Sequence, residues 1–118
     1  MGPMVNAITV DVEEYFHATE VQNALDATAR ASLPSRLQHQ VHNTLELFGN
    51  KHVKATFFIL GWVAERLPSL VREITQAGHE IACHSYWHRL IYKLNCSTKP
   101  HPRIMRVPAL IRESCVAG

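Results

Sequence analysis

The sequence predicts an α/β fold built on about three parallel strands that alternate with helices. Three observations lead there. Short β-branched or aromatic apolar runs occur at "VNAITVDV", "VKATFFIL" and "HEIAC". The two stretches between them carry apolar residues at helical spacing. Glycines sit where each helix should hand over to a strand.

"VNAITVDV" (Val5–Val12) reads as the first strand. "HATEVQNALDATARAS" (His17–Ser32) is weakly patterned and fits a loop or a single helical turn. Leu37, Val41, Leu45 and Phe48 then recur on one helical face, with Ser35 and Gln38 spaced as a capping box and Gly49-Asn50 as the stop. "VKATFFIL" (Val53–Leu60) is the second strand, and Phe57, Phe58 and Ile59 are expected in the core. Val63, Leu67, Leu70, Val71 and Ile74 mark a second amphipathic helix, with Pro68 at a first turn or a kink and Gly78 beyond its end. "HEIAC" (His79–Cys83) is the third strand, where His79 reads as structural and Cys83 as a buried thiol. Crossovers between parallel strands are nearly always right-handed, so the three C-terminal strand ends share one face. In α/β folds that face carries the chemistry.

The chain has 118 residues, enough for one small domain, with 47% hydrophobic and 19% charged residues and a net charge of +2. That charge gives no argument for nucleic acid or an anionic membrane as a partner. No apolar run approaches the roughly 18 residues of a membrane span, and the start lacks the pattern of a signal peptide. The three cysteines, Cys83, Cys96 and Cys115, form no CxxC pair. These features lead to the expectation of reduced thiols and a cytoplasmic setting. Composition changes near residue 95: Lys99, Arg103, Arg106 and Arg112 stand against Glu113 alone, beside two of the three cysteines. Residues 95–118 therefore read as a basic, poorly ordered tail.

The functional candidates gather at the strand ends. The first strand runs into Asp11, Glu13 and Glu14, with His17 following. The third ends at His84, and His88 lies four positions on, one helical turn away. Two imidazoles and a carboxylate make a set that suits a divalent metal such as zinc. Asp11 and Glu13, two apart on a strand, share a face, so one can hold metal while the other acts as a base. Glu14 is the rival to Glu13. His17 reads as a surface loop histidine, with a supporting hydrogen bond to the site as its other reading. Tyr86 and Trp87 fit either a sugar platform or rim packing.

The stretches "ITVDVEEYFH", "VKATFFILGWVAER" and "AGHEIACHSYWH" resemble the N-terminal part of a NodB-like polysaccharide deacetylase. The likeness covers about residues 5–94, so residues 1–94 are expected to form a partial deacetylase domain and residues 95–118 a segment foreign to it. It implies the N-terminal part of a distorted (β/α) barrel and metal-dependent removal of N-acetyl groups from an N-acetylated polysaccharide or amino sugar. His84-Ser85-Tyr86-Trp87-His88 matches the family's H-S/T-x-x-H motif, which makes His84 and His88 metal ligands. The family's first motif is usually T-F-D-D-G; here it is Thr9-Val10-Asp11-Val12-Glu13. Asp11 matches the catalytic base. Val12 replaces the second Asp and cannot bind metal, so Glu13 takes the ligand's place by analogy with Asp-x-Asp relatives.

The family's later Arg-x-Pro and acid-histidine motifs belong well beyond residue 94. Arg106-Val107-Pro108 comes too early for the first of them. The tail reads as the product of a shifted reading frame or a truncated gene, and the chain is expected to be marginally folded and feebly active. Two other functions fit fewer features. One is a non-catalytic zinc module using His84, His88, Cys96 and His101; the other is a cyclic-imide hydrolase of the same fold.

Overall fold

The computed structural model describes residues 2–88 and 108–113. The proposed boundary between residues 94 and 95, and Cys96, His101, Arg106, Val107 and Cys115, lie outside the described residues.

Strand β1 (Thr9–Val12) is followed by a 3₁₀ turn (Tyr15–His17) and two short helices, α1 (Thr19–Ala24) and α2 (Ala27–Ala31). Then come α3 (Leu37–Asn50), β2 (Thr56–Ile59), α4 (Gly61–Arg66), α5 (Pro68–Gln76) and β3 (Glu80–Cys83). A helical segment occupies 108–113. The strands form one sheet in the order β1-β2-β3, and both pairings are parallel. The α/β class with three alternating parallel strands is therefore what the sequence led us to expect.

The register places Val10, Phe57 and Ile81 in one row and Val12, Ile59 and Cys83 in another. This face of the sheet is covered by helices. Phe57, Ile59, Leu60, Val63, Leu70, Val71 and Ile74 are fully buried there, with Leu37 and Val41 of α3 and Ile111 of the 108–113 segment. Asp11, Phe58 and Ala82 form the alternate row on the other face. Phe58 is thus only half-buried, unlike the expected core residue. Cys83 is an exposed, free thiol rather than a buried one, because it ends an edge strand where the helices no longer cover the sheet.

The strands are shorter than their apolar runs. Met4 and Val5 are exposed, and only from Ile8, whose carbonyl accepts the Thr56 N–H, does the chain join the sheet. The weakly patterned segment holds two helices instead of a loop. Asp26 caps α2 by accepting from the Ala29 N–H at 2.7 Å. The second amphipathic stretch is two helices, broken at Leu67 with Pro68 opening α5.

Both long helices end in the same motif. Past α5, Gly78 has φ +85°, its N–H reaches the Thr75 carbonyl, and the His79 N–H reaches Ile74. Past α3 the equivalent place is taken by His52 (φ 54°), so the helix runs through Gly49-Asn50 and stops two residues later than expected. The Ser35–Gln38 capping box does not form. Arg36 is the N-cap of α3, and the Ser35 hydroxyl donates to the Glu14 carboxylate instead. His79 is structural, as expected: it is buried and its Nδ1 accepts the Ala55 N–H at 3.2 Å.

Candidate metal centre

The segment leaving β3 is fixed by its neighbours. The His84 N–H continues the ladder to the Ile59 carbonyl at 3.0 Å. Ser85 adopts φ 62°, which turns the chain across the start of α4. The first N–H groups of a helix have no partner within it. Here Gly61 N–H donates to the Ser85 carbonyl at 2.9 Å and Trp62 N–H to the Tyr86 carbonyl at 3.1 Å. The end of β3 is thereby held against the end of β2, and the β1 end lies on the far side of β2 in the same sheet.

Glu13, His84 and His88 come together at this edge, with one ligand atom from each within 4.8 Å of the others. His88 Nε2 is 3.9 Å from Glu13 Oε2, and the two histidine rings are 5.3 Å apart. Asp11 flanks the group, its Oδ2 3.9 Å from His84 Nε2. The Asp11 side chain is 58% exposed against 25% for Glu13, so Asp11 is the carboxylate open to an incoming molecule.

Glu14, the rival to Glu13, stands outside this group. Its buried carboxylate accepts from Ser35 Oγ and from the Arg36 N–H, and it closes the Tyr15–His17 turn in a reciprocal box with His17. The other half of that box is His17 Nδ1, which accepts the Glu14 N–H at 2.9 Å. His17 is fully buried, contrary to a surface loop histidine. Its ring packs edge-on against Trp62 and Trp87, with centroids 4.8 and 4.6 Å away. Burial, and secondarily the proximity of His88, lowers its pKa to about 4, so the ring is neutral.

Tyr86 packs on the core and donates to Glu65 Oε2 at 2.5 Å, and Trp87 packs on His17; both belong to the rim of the sheet. Sequence reasoning missed Gln22 and Trp62. The four-residue zinc set with Cys96 and His101 falls outside the described residues.

A metal fits this place. Glu13 Oε2, His84 Nε2, His88 Nδ1 and His17 Nε2 are buried polar atoms with no hydrogen-bond partner among the described residues. Buried polar atoms are normally satisfied; three of these four lie on residues whose donor set, two imidazoles and one carboxylate, suits a divalent cation.

Comparison with known proteins gives the family. The family model described as polysaccharide deacetylase matches residues 32–114. The chain belongs to the polysaccharide deacetylase family. The match passes residue 94, where the composition changes, and takes in the 108–113 segment. A peptidoglycan-N-acetylglucosamine deacetylase of Bacillus cereus is 43% identical over 51 residues, which is 43% of this chain and 18% of that protein. A chitooligosaccharide deacetylase of a Bradyrhizobium strain is 27% identical over 73 residues, 62% of this chain and 33% of that one.

Among solved structures, a peptidoglycan N-acetylglucosamine deacetylase superposes with TM-score 0.63 at 24% identity, covering 93% of this chain and 41% of its own. A Mycobacterium smegmatis protein assigned to the polysaccharide deacetylases gives 0.65 at 25% identity, covering 95% and 39%. The chain thus spans a third or less of these curated relatives, and its three strands are part of the family's (β/α) barrel. Among the described residues no helix is long and apolar enough to cross a membrane.

Proposed function

We propose that the protein acts in metal-dependent hydrolysis of N-acetyl groups on an N-acetylated glycan. The observation that carries this reading is the convergence of Glu13, His84 and His88, one ligand atom from each within 4.8 Å of the others, beside the exposed carboxylate of Asp11. Glu13, His84 and His88 would hold the ion, most simply zinc given two imidazoles and one carboxylate. Such an ion supplies Lewis-acid polarisation of an amide carbonyl and activation of water.

The other tasks fall to side chains. Asp11 takes the proton of the attacking water as the general base. Asp11 Oδ2 lies 3.9 Å from His84 Nε2, which sets the base beside the ligand group. The water oxygen bonds to the carbonyl carbon, the amide C–N bond breaks, acetate departs, and the sugar nitrogen takes up the proton released by the water and leaves as the amine. The deacetylase relatives act on peptidoglycan and chitooligosaccharides by name, which makes an N-acetylglucosamine polymer the substrate class to try first.

The test is elemental analysis of the purified chain against the His84→Ala/His88→Ala double variant, with acetate release from chitooligosaccharides measured alongside. One equivalent of metal, lost in the double variant, supports the site. A folded wild type that takes up no added zinc overturns it.

A further inference from the structure

We propose that Gln22 is a positioning residue for the metal centre, holding His88 in register from a helix at the opposite end of the chain; this rests on the metal reading of Glu13, His84 and His88. The loop after β3 is pinned in two halves. The amides of α4 hold Ser85 and Tyr86. The other half is held by one carboxamide. Gln22 Nε2 donates to the His88 carbonyl at 3.1 Å and to the His17 carbonyl at 2.5 Å, and Gln22 Oε1 accepts the Trp87 indole N–H at 3.3 Å.

The chemistry fixes which way the amide lies. An indole N–H only donates and main-chain carbonyls only accept, so the oxygen must face Trp87 and the nitrogen the two carbonyls. No other uncharged side chain of this length offers two donors and an acceptor in one plane. The anchor is itself anchored: Arg30 Nη1 donates to the carbonyls of Gln22 and Leu25 at 2.9 and 2.6 Å, tying α1 to α2. On its far side Trp87 is braced edge-on by His17 and Trp62, and Trp62 carries the Arg66 guanidinium over its ring at 4.3 Å.

Gln22 therefore touches neither ion nor substrate. It sets the main chain from which the His88 ring reaches toward Glu13. A ligand set must hold its geometry to about 0.5 Å, and outer partners of metal ligands typically contribute about 10- to 100-fold in affinity.

The experiment is titration of the full metal-free chain with Co2+, followed by its visible absorption. Wild type is compared with Gln22→Met, which keeps length and bulk, and with Asn23→Ala, which removes an exposed carboxamide from the same helix. Gln22→Met should bind about tenfold more weakly or worse, with an altered absorption band, while Asn23→Ala matches wild type. Hydrogen exchange on the same samples should show faster exchange in 84–88 of Gln22→Met with the β2 amides unchanged. If Gln22→Met fails to fold, Trp87→Phe removes the indole donor while keeping an aromatic ring against His17 and Trp62, and should weaken binding about threefold or more, at least the weight of one hydrogen bond. Wild-type affinity in a folded Gln22→Met, or in Trp87→Phe where that variant carries the test, overturns the inference alone. A wild type that takes up no Co2+ overturns the metal reading and this inference with it.

Discussion

Glu14 and Ser35 are hydrogen-bonded across 21 positions, the Ser35 hydroxyl donating to a carboxylate that also accepts the Arg36 N–H. This pairing ties the end of β1 to the start of α3 and separates the roles of two adjacent acids. Glu14→Ala removes the buried carboxylate that accepts from Ser35 and Arg36 and should cost about 1–3 kcal/mol, the weight of hydrogen bonds to a charged group, while leaving metal content at one equivalent. Glu13→Ala should do the reverse, keeping the melting temperature within a few degrees and abolishing metal uptake. Melts and elemental analysis of the two variants decide it. Metal loss in Glu14→Ala alone would reverse the assignment.

Asp11 is the exposed member of the cluster. Asp11→Asn keeps the shape and removes the base, so acetate release should fall about 10²- to 10⁴-fold with the metal still bound. Paired assays of activity and metal content separate a base from a ligand: loss of the ion in Asp11→Asn would make Asp11 a ligand.

The sequence made some of this layout legible and hid the rest for identifiable reasons. The α3 and α5 faces could be read because Leu37, Val41, Leu70 and Ile74 repeat with the helical period and are buried by the sheet. Gly78 could be read because only a left-handed residue lets α5 hand over to β3. His52 in the same role could not, since a histidine carries no comparable signal. The two histidines and Glu13 were visible as a spacing plus a strand end. The burial of His17 and the reach of Gln22 to His88 depend on contacts between distant segments, which no local pattern encodes. Ser35 carried a capping signal that Glu14 outcompeted, and neighbouring spacing cannot report such a partner.

His79 gives a pH prediction with a definite sign. Burial, and then the Lys54 charge, lowers its pKa below 6.5, so the folded state favours the neutral ring. As pH falls below 6.5 the unfolded chain takes up the proton first. The contribution to stability is therefore intact above pH 6.5 and is lost on acidification through the lowered folded-state value. Denaturant titrations of the chelator-treated chain should show a shallower acid decline in His79→Phe than in wild type. At pH 7.5 the variant should be less stable by about 1–3 kcal/mol, because the Ala55 N–H loses its acceptor. An identical acid decline in both would sink this account.

Gly78 has φ +85°, and a Cβ there would lie 3.0 Å from Lys54 Nζ. Gly78→Ala should destabilise by about 1–2 kcal/mol, the cost of a left-handed L-residue, since the flexible lysine can swing aside. Gly49, which meets nothing within 4 Å and sits inside a helix, should gain stability as alanine by about 0.5–1 kcal/mol. Opposite signs in one pair of melts is the expected result.

Glu13 follows one edge strand and His84 and His88 follow the other, which gives the candidate centre a mechanical meaning. One edge strand of the sheet and the loop leaving the other meet there, so whatever binds both would act as a removable cross-link over most of the described residues. Its strength is set by supply: an ion at 100 times its Kd adds about 2.7 kcal/mol to the folded state and nothing once it is withdrawn. With Glu13, His84 and His88 holding an ion as proposed, metal availability would be a dial on the stability of the folded chain, turned without changing a residue.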